Sequence, residues 1–421
     1  MSLAIHAGLA TVALGPGHSY PTDVPLSSTR DSVRFALPGL PQDVVFTGRV
    51  RRGRLSGAVV QGRLRGTFSL HKGSSPALDA LGVYRSATGA TLAIVQAEGL
   101  PTWLVELPSG TTHGLNEPLT TVGGLLGVTS GDGALAVDRG GLTWTHAGSS
   151  VRYDRIRLRQ WEVRVGAIAG TLSLPAGGGK PAAAVMVHGS DPAGRDEFQT
   201  FSAYLVSKGV GVLGSDKRGI AESGGTFPGS LASAATIDLL ARDVQSQVAF
   251  LRHRPWVDPV RVGVIGASQA GWVIARAASR DPQIRWAVPL VGPAVTQGET
   301  DLFTSLAGAE TSQPAGPRPQ LIAQVRAAGR SGFDPLPYLE RLSIPVLWVY
   351  GDDDRNVPTE ISVERLQSIA AGHDFTWTVL HMTHALIDLP NGLYSSLAGS
   401  RGFTADLFPT VGAWLAAHGI T

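Results

Sequence analysis

The stretch VRVGVIGASQAGWVIARAAS, residues Val260–Ser279, decides how this chain is read. Val260, Val262, Val264 and Ile265 suit a buried strand, and Trp272, Val273, Ile274 and Ala275 suit the start of a packed helix. Between them sits Ser268, with Gly266 two residues before it and Ala270 two after. A serine on a sharp strand-to-helix turn has the layout of a nucleophile elbow, and small flanking residues leave room where backbones pass close. The pattern alone decides little, because 53 glycines make chance matches common. One such match is Gly73, Ser75 and Ala77, but Pro76 follows that serine directly and no strand–turn–helix frame surrounds it.

The rest of the chain supplies the frame. From Gly166 onward, apolar strands alternate with amphipathic helices. AAAVMVHG (182–189) is apolar without alternation, as strands buried on both faces are. FQTFSAYLVSKG reads as a helix, VGVLGSDKRG as a strand, and ASAATIDLLARDVQSQVAFLRHR as a long amphipathic helix. After the opening stretch come RWAVPLVG, a polar insertion, PVLWVYGDDD, TEISVERLQSIAAG, FTWTVL and FPTVGAWLAAHG. This order predicts an α/β fold with a doubly wound, mostly parallel sheet over residues 166–421. Such sheets bind ligands beyond the carboxyl ends of their strands. His188, Gly189 and Ser190 follow one predicted strand, Ser268 another, Asp352, Asp353 and Asp354 a third, and His381 and His384 a fourth. A serine hydroxyl needs an imidazole base, the imidazole needs a carboxylate, and the oxyanion formed on attack needs preset N–H donors. The donors expected here are the backbone amides of Gln269, opening the helix after the nucleophile, and Ser190, in the loop after the VHG strand.

The motifs VMVHGSDPAGRDEF, GVGVLGSDKRGIAESGG, GASQAG, YGDDDRNVP and HMTHAL, in this order and spacing, resemble the α/β-hydrolase superfamily. They are most similar to bacterial serine esterases related to prolyl-oligopeptidase-like and dienelactone-hydrolase-like enzymes. The resemblance covers residues 166–421. It implies Ser268 as nucleophile. It selects Asp354 as the acid, from the Gly-x-x-Asp-x-x-Val-Pro run Gly351 to Pro358, and His384 as the base, before the small Ala385. Ala270 stands where many members carry glycine. The implied activity is cleavage of a small-molecule carboxylic ester through an acyl-enzyme, with no cofactor and no metal. A peptidase or thioesterase with the same triad, or an inactive binding protein on this fold, are the alternatives.

Residues 1–165 read differently. Leu64, Gly66, Phe68 and Leu70 alternate with Arg63, Arg65, Thr67 and Ser69, and Ile156 and Leu158 alternate with Arg155, Arg157 and Arg159. Period-2 alternation and frequent turn signals predict a β-rich accessory domain with few helical segments, SPALDALG being the best of them. The arginines between Arg49 and Arg65 read as the wet face of a sheet. No aromatic residues are interleaved among them to stack bases, so no nucleic-acid partner is expected. Residues 293–340 exceed an ordinary connection and read as a cap over the site.

Several other chemistries lose support. GVGVLG (209–214) matches a dinucleotide-binding pattern but lies inside a strand rather than opening a helix. Asp352, Asp353 and Asp354 with His381 and His384 form a metal-site alternative that a triad makes unnecessary. Asp216, Lys217 and Arg218 read as a structural ion-pair cluster. There is no cysteine, and the formal charge of +2 argues for no acidic partner. No apolar run is long enough to span a membrane. The start MSLAIHAGLATVALGPG has a short apolar core but lacks a basic n-region and carries His6, which argues against a cleaved signal; a disordered leader is an alternative, and a cytoplasmic location is expected over secretion.

Overall fold

Eight strands of the second half form one mixed sheet. In this computed structural model they are β1 (Leu158–Val165), β2 (Ile168–Pro175), β3 (Ala183–Val187), β4 (Gly211–Ser215), β5 (Val262–Ala267), β6 (Ala287–Leu290), β7 (Val346–Gly351) and β8 (Phe375–Leu380). Their spatial order is β1-β2-β4-β3-β5-β6-β7-β8. The pairs β1–β2 and β2–β4 are antiparallel, and every later pair is parallel. The structure describes residues 140–421 except 230–231, 390 and 394–401. Before residue 140 it describes 2–6, 9–13, 24–29, 32–37, 44–51, 54–61, 63–71, 81–95, 103–107, 109–114, 125–127 and 133–137.

Burial along the strands explains their sequences. β3, β6 and β7 are buried throughout, which is why they read as unbroken apolar runs. The edge strand β1 alternates between half-buried and exposed residues over most of its length. Helices α1 (Gln199–Ser207), α2 (Ala234–Arg252) and α3 (Ala270–Ala278) follow β3, β4 and β5. In α2, Ile237, Leu240, Ala241, Val244, Val248 and Leu251 recur at helical spacing and join the sheet's core, while Ser233 caps its start by accepting from Thr236 N–H. The strand of the opening stretch begins at Val262. Val260 precedes it and is exposed.

Between β6 and β7 lie α4 (Gln297–Ala307), α5 (Arg318–Ala328) and the short α6 (Leu336–Leu339). Thr296 and Glu299 form a capping box at the start of α4, and Gly308 ends it at φ +84°. Phe303 and Ala307 of α4 meet Leu321, Ile322 and Val325 of α5 in a small core of their own. The last helices are α7 (Thr359–Ile369) and α8 (Leu407–Ala417).

The chain divides into two units, the first within residues 1–88, 94–104 and 113–155, the second within 89–93, 105–112 and 156–421. In the first, seven antiparallel strands from Ser2 to His71 pair in chain order. Phe35 and Phe46 face each other across one such pair with ring centroids 4.8 Å apart, while Arg49, Arg51, Arg63 and Arg65 are exposed. A second antiparallel set joins Gly133–Val137, Gly141–His146 and Ser149–Arg155 and returns to Gly82–Ser86. The segment YDRIRLRQWEVRV is not one strand. It breaks between Arg155 and Leu158, where the units change over. The expected boundary at 165/166 falls on the β1–β2 hairpin, at Gly166 with φ +59°. Alternation reports one-sided exposure, which the edge strand of a larger sheet shares with a strand of a separate β domain. Residues 73–80, which hold the second serine pattern and most of the helical SPALDALG expectation, lie outside the described residues. Gly82, its last residue, opens a strand.

Candidate active site

Ser268 occupies the turn between β5 and α3 with φ +61°. A non-glycine residue held there costs roughly 1–3 kcal/mol and persists only where its surroundings impose it. They do so through the main chain: Ser268 N–H donates to Leu290 O on β6 at 3.0 Å, and Gly271 N–H donates to Ser268 O at 2.9 Å. Gly266 must be glycine, because a Cβ there would lie 2.1 Å from Val187 O and 2.8 Å from the Ala270 Cβ. The Ala270 methyl fits because it is buried against that empty space. Ser268 is half-buried and Gln269 fully so. Gly189, in the loop after β3, abuts Ser268: a Cβ on it would lie 3.4 Å from Ser268 Cβ and 3.9 Å from Oγ. Ser190 is the next residue.

Asp354 lies in the loop after β7 and is 0% exposed. Its Oδ1 accepts from the N–H groups of Asn356 and Val357, each at 2.8 Å, and its Oδ2 meets His384 Nδ1 at 2.9 Å. These bonds leave the carboxylate one orientation. They also make Nδ1 the protonated nitrogen and free Nε2 to act as a base. His384 follows β8, and the loop that carries it crosses so close to β7 that a Cβ on Gly351 would lie 2.2 Å from Met382 O. Burial pulls the His384 imidazole down, but the negative field of Asp354, Glu310 and Asp191 outweighs it and holds its pKa above the ordinary histidine value. Among the described residues, Ser268 Oγ makes no hydrogen bond. Serine–imidazole contacts commonly tighten only with substrate bound.

The neighbouring candidates separate from this pair. His381 is 73% exposed and bonds Asp352 Oδ1 at 3.0 Å on the surface. The two histidines therefore do not converge on one carboxylate. Asp216 is held by Arg195 through Nε at 3.0 Å and Nη2 at 2.7 Å, and Arg218 pairs with Asp243. Lys217 behaves differently, donating to Gly189 O at 2.6 Å and Asp191 O at 3.2 Å.

Sequence reasoning missed three contributors from the 293–340 segment. Glu310 is fully buried at φ +60° and accepts from the His384 backbone N–H. Arg318 donates from Nη1 to Asp354 O at 2.6 Å while its Nε bonds Glu360 Oε1 at 2.6 Å. Thr304 Oγ1 donates to Asn356 O at 2.9 Å. The segment thus touches the main chain of both the loop that carries Asp354 and the loop that carries His384. No local signal in AGAET or GPRPQ announces these contacts, which join residues 36 to 74 positions apart.

Residues 146–308 match the family model described as Esterase FrsA-like. No curated protein is similar in sequence. Among solved structures, the chain is similar to the esterase Pf2001 of Pyrococcus furiosus, with 18% identity, TM-score 0.45, and 62% of this chain and 91% of that one covered. It is similar to an acylaminoacyl peptidase of Pyrococcus horikoshii, with 13% identity, TM-score 0.44, and 94% and 71% covered. It is also similar to Est1E of Butyrivibrio proteoclasticus, solved with ferulic acid, with 16% identity, TM-score 0.41, and 62% and 100% covered. Among the described residues no helix is long and apolar enough to cross a membrane.

Proposed function

We propose that this member of the α/β-hydrolase superfamily is a serine esterase that cleaves small carboxylic esters through an acyl-enzyme on Ser268. One observation carries the reading: a wholly buried carboxylate, Asp354, fixes His384 at 2.9 Å at the strand ends where Ser268 sits on a strained turn. A buried Asp–His pair with the second ring nitrogen left free is what a serine needs to become a nucleophile.

In the proposed reaction, His384 Nε2 takes the proton of Ser268 as Oγ attacks the ester carbonyl. Asp354 remains ionised and stabilises the imidazolium. The oxyanion is met by the backbone N–H groups of Gln269 and Ser190. The tetrahedral intermediate collapses, the C–O bond to the alcohol breaks, and His384 returns the proton to the leaving alkoxide. A water molecule, deprotonated by the same nitrogen, then attacks the acyl carbonyl, and the carboxylic acid leaves as Ser268 recovers its proton. The 293–340 segment caps the site and shapes the acyl pocket, a role supported by its contacts to the acid and base loops. The β-rich unit is an accessory unit.

Labelling with a fluorophosphonate, followed by mapping of the modified residue, tests the nucleophile. Modification of Ser268 is expected, and its loss in S268A. A panel of p-nitrophenyl esters, acyl thioesters and aminoacyl anilides tests the ester preference. Faster turnover of thioesters or anilides would replace the substrate class while keeping the triad.

A further inference from the structure

A buried lysine needs a reason, because removing an ammonium from water is costly unless it finds partners. Lys217 is 4% exposed in the loop that follows β4. Its neighbours Asp216 and Arg218 are neutralised by Arg195 and Asp243. Lys217 instead reaches across to the loop after β3, and both its side-chain hydrogen bonds go to main-chain oxygens there, Gly189 O at 2.6 Å and Asp191 O at 3.2 Å. These two carbonyls bracket Ser190. The same loop is tied further: Lys217 N–H donates to Ala193 O at 3.1 Å, Arg195 N–H donates to Asp216 Oδ1 at 2.9 Å, and the His188 ring lies 2.5 Å from both Glu197 Oε2 and Ser215 O.

The chemistry follows from the peptide bond. The carbonyl of Gly189 and the N–H of Ser190 belong to one planar trans unit and point in opposite directions. A cation bonded to that oxygen therefore fixes where the N–H aims. It also draws electron density toward the oxygen and strengthens the N–H as a donor. Gly189 itself abuts Ser268. We infer that Lys217 is a positioning residue for the oxyanion site, its ammonium orienting and polarising the Gly189–Ser190 peptide whose N–H meets the developing charge. The inference rests on the esterase reading above.

Burial lowers the Lys217 pKa to about 8, with the charges of Glu197 and Asp191 opposing the fall, and the Phe227 ring faces the ammonium at 5.2 Å. The protonated form is the one that holds the peptide. Activity should therefore decline as pH rises through about 8.

The test uses full-length protein and p-nitrophenyl acetate, with wild type, K217M and S268A compared from pH 6 to 9.5. In K217M, kcat should fall roughly 10- to 100-fold, somewhat less than the loss of a whole oxyanion donor, with KM changed far less. The alkaline decline of the wild type should vanish in the variant. A role confined to stability would lower the melting temperature and leave both the pH profile and kcat of the folded fraction as they were, which overturns the inference. If K217M does not fold, the wild-type profile decides: a decline near pH 8 in both turnover and fluorophosphonate labelling supports the inference, and a flat profile overturns it. A wild type that neither labels nor hydrolyses overturns the esterase reading and this inference with it. A wild type that does both while K217M matches it overturns the inference alone.

Discussion

His384 and Asp354 face each other at 2.9 Å, Nδ1 to Oδ2, with the carboxylate sealed from solvent and its other oxygen filled by two backbone N–H groups. Such a carboxylate has no freedom to turn away, so the imidazole is held in one tautomer. Asp354→Asn presents an amide that can hold the ring in the wrong tautomer, and kcat should fall on the order of 10⁴-fold. S268A and H384A should each be as severe, and the double variant hardly worse than either, as the proposed triad acting as a unit requires. Steady-state kinetics on one ester checks this. His381→Ala and Asp352→Asn alter an exposed pair and should remain within a few fold of wild type. Loss of activity in H381A with H384A intact would move the base earlier in the loop.

The acid side of the pH profile should report His384. In the proposed mechanism the neutral ring is the base, so activity is expected to rise as the imidazolium loses its proton. Because the pKa is held above the ordinary histidine value of about 6.5, half-maximal kcat/KM should lie above that pH. Glu310→Gln removes one of the negative charges that hold it up. The expected outcome is an acid limb shifted to lower pH. A limb that does not move in E310Q would show that the Glu310 charge does not reach the ring.

The elbow stores strain that glycine can release. Ser268→Ala keeps a Cβ at φ +61°, whereas Ser268→Gly does not. After the larger entropy of glycine in the unfolded chain is subtracted, about 1 kcal/mol should remain in favour of S268G. Calorimetry should find S268G melting about 1–2 °C above S268A. The reverse order would mean that the turn is relaxed.

Specificity should reside in the segment between β6 and β7. Shortening the loop at residues 311–316, between α4 and α5, should change KM for long-chain p-nitrophenyl esters several-fold more than for the acetate. Equal effects on both would remove the segment from the acyl pocket. Arg318→Ala should act differently, because it takes a donor from Asp354 O and a partner from Glu360. It should lower kcat for short and long esters alike.

What could be read from the residues in order was whatever depends on short-range pattern. Unbroken apolar runs marked β3, β6 and β7 because a strand covered on both faces tolerates nothing else. Their alternation with helices set the sheet's topology, and small residues around Ser268 marked the turn, since Gly266 has no space for a Cβ. The same local reasoning stumbled at Leu158–Val165, because an edge strand of a large sheet exposes one face just as an isolated β-sheet does. Only the tertiary structure decided which groups meet. It set His384, half-buried, against the sealed Asp354 and left His381 in water beside Asp352. It brought Glu310 and Arg318 to the acid and base loops from tens of residues away, and it parted Lys217 from the ion pairs on either side of it. Hydrogen bonds and charge act through distance and exclusion of water, and neither quantity is written in the spacing of residues along a chain.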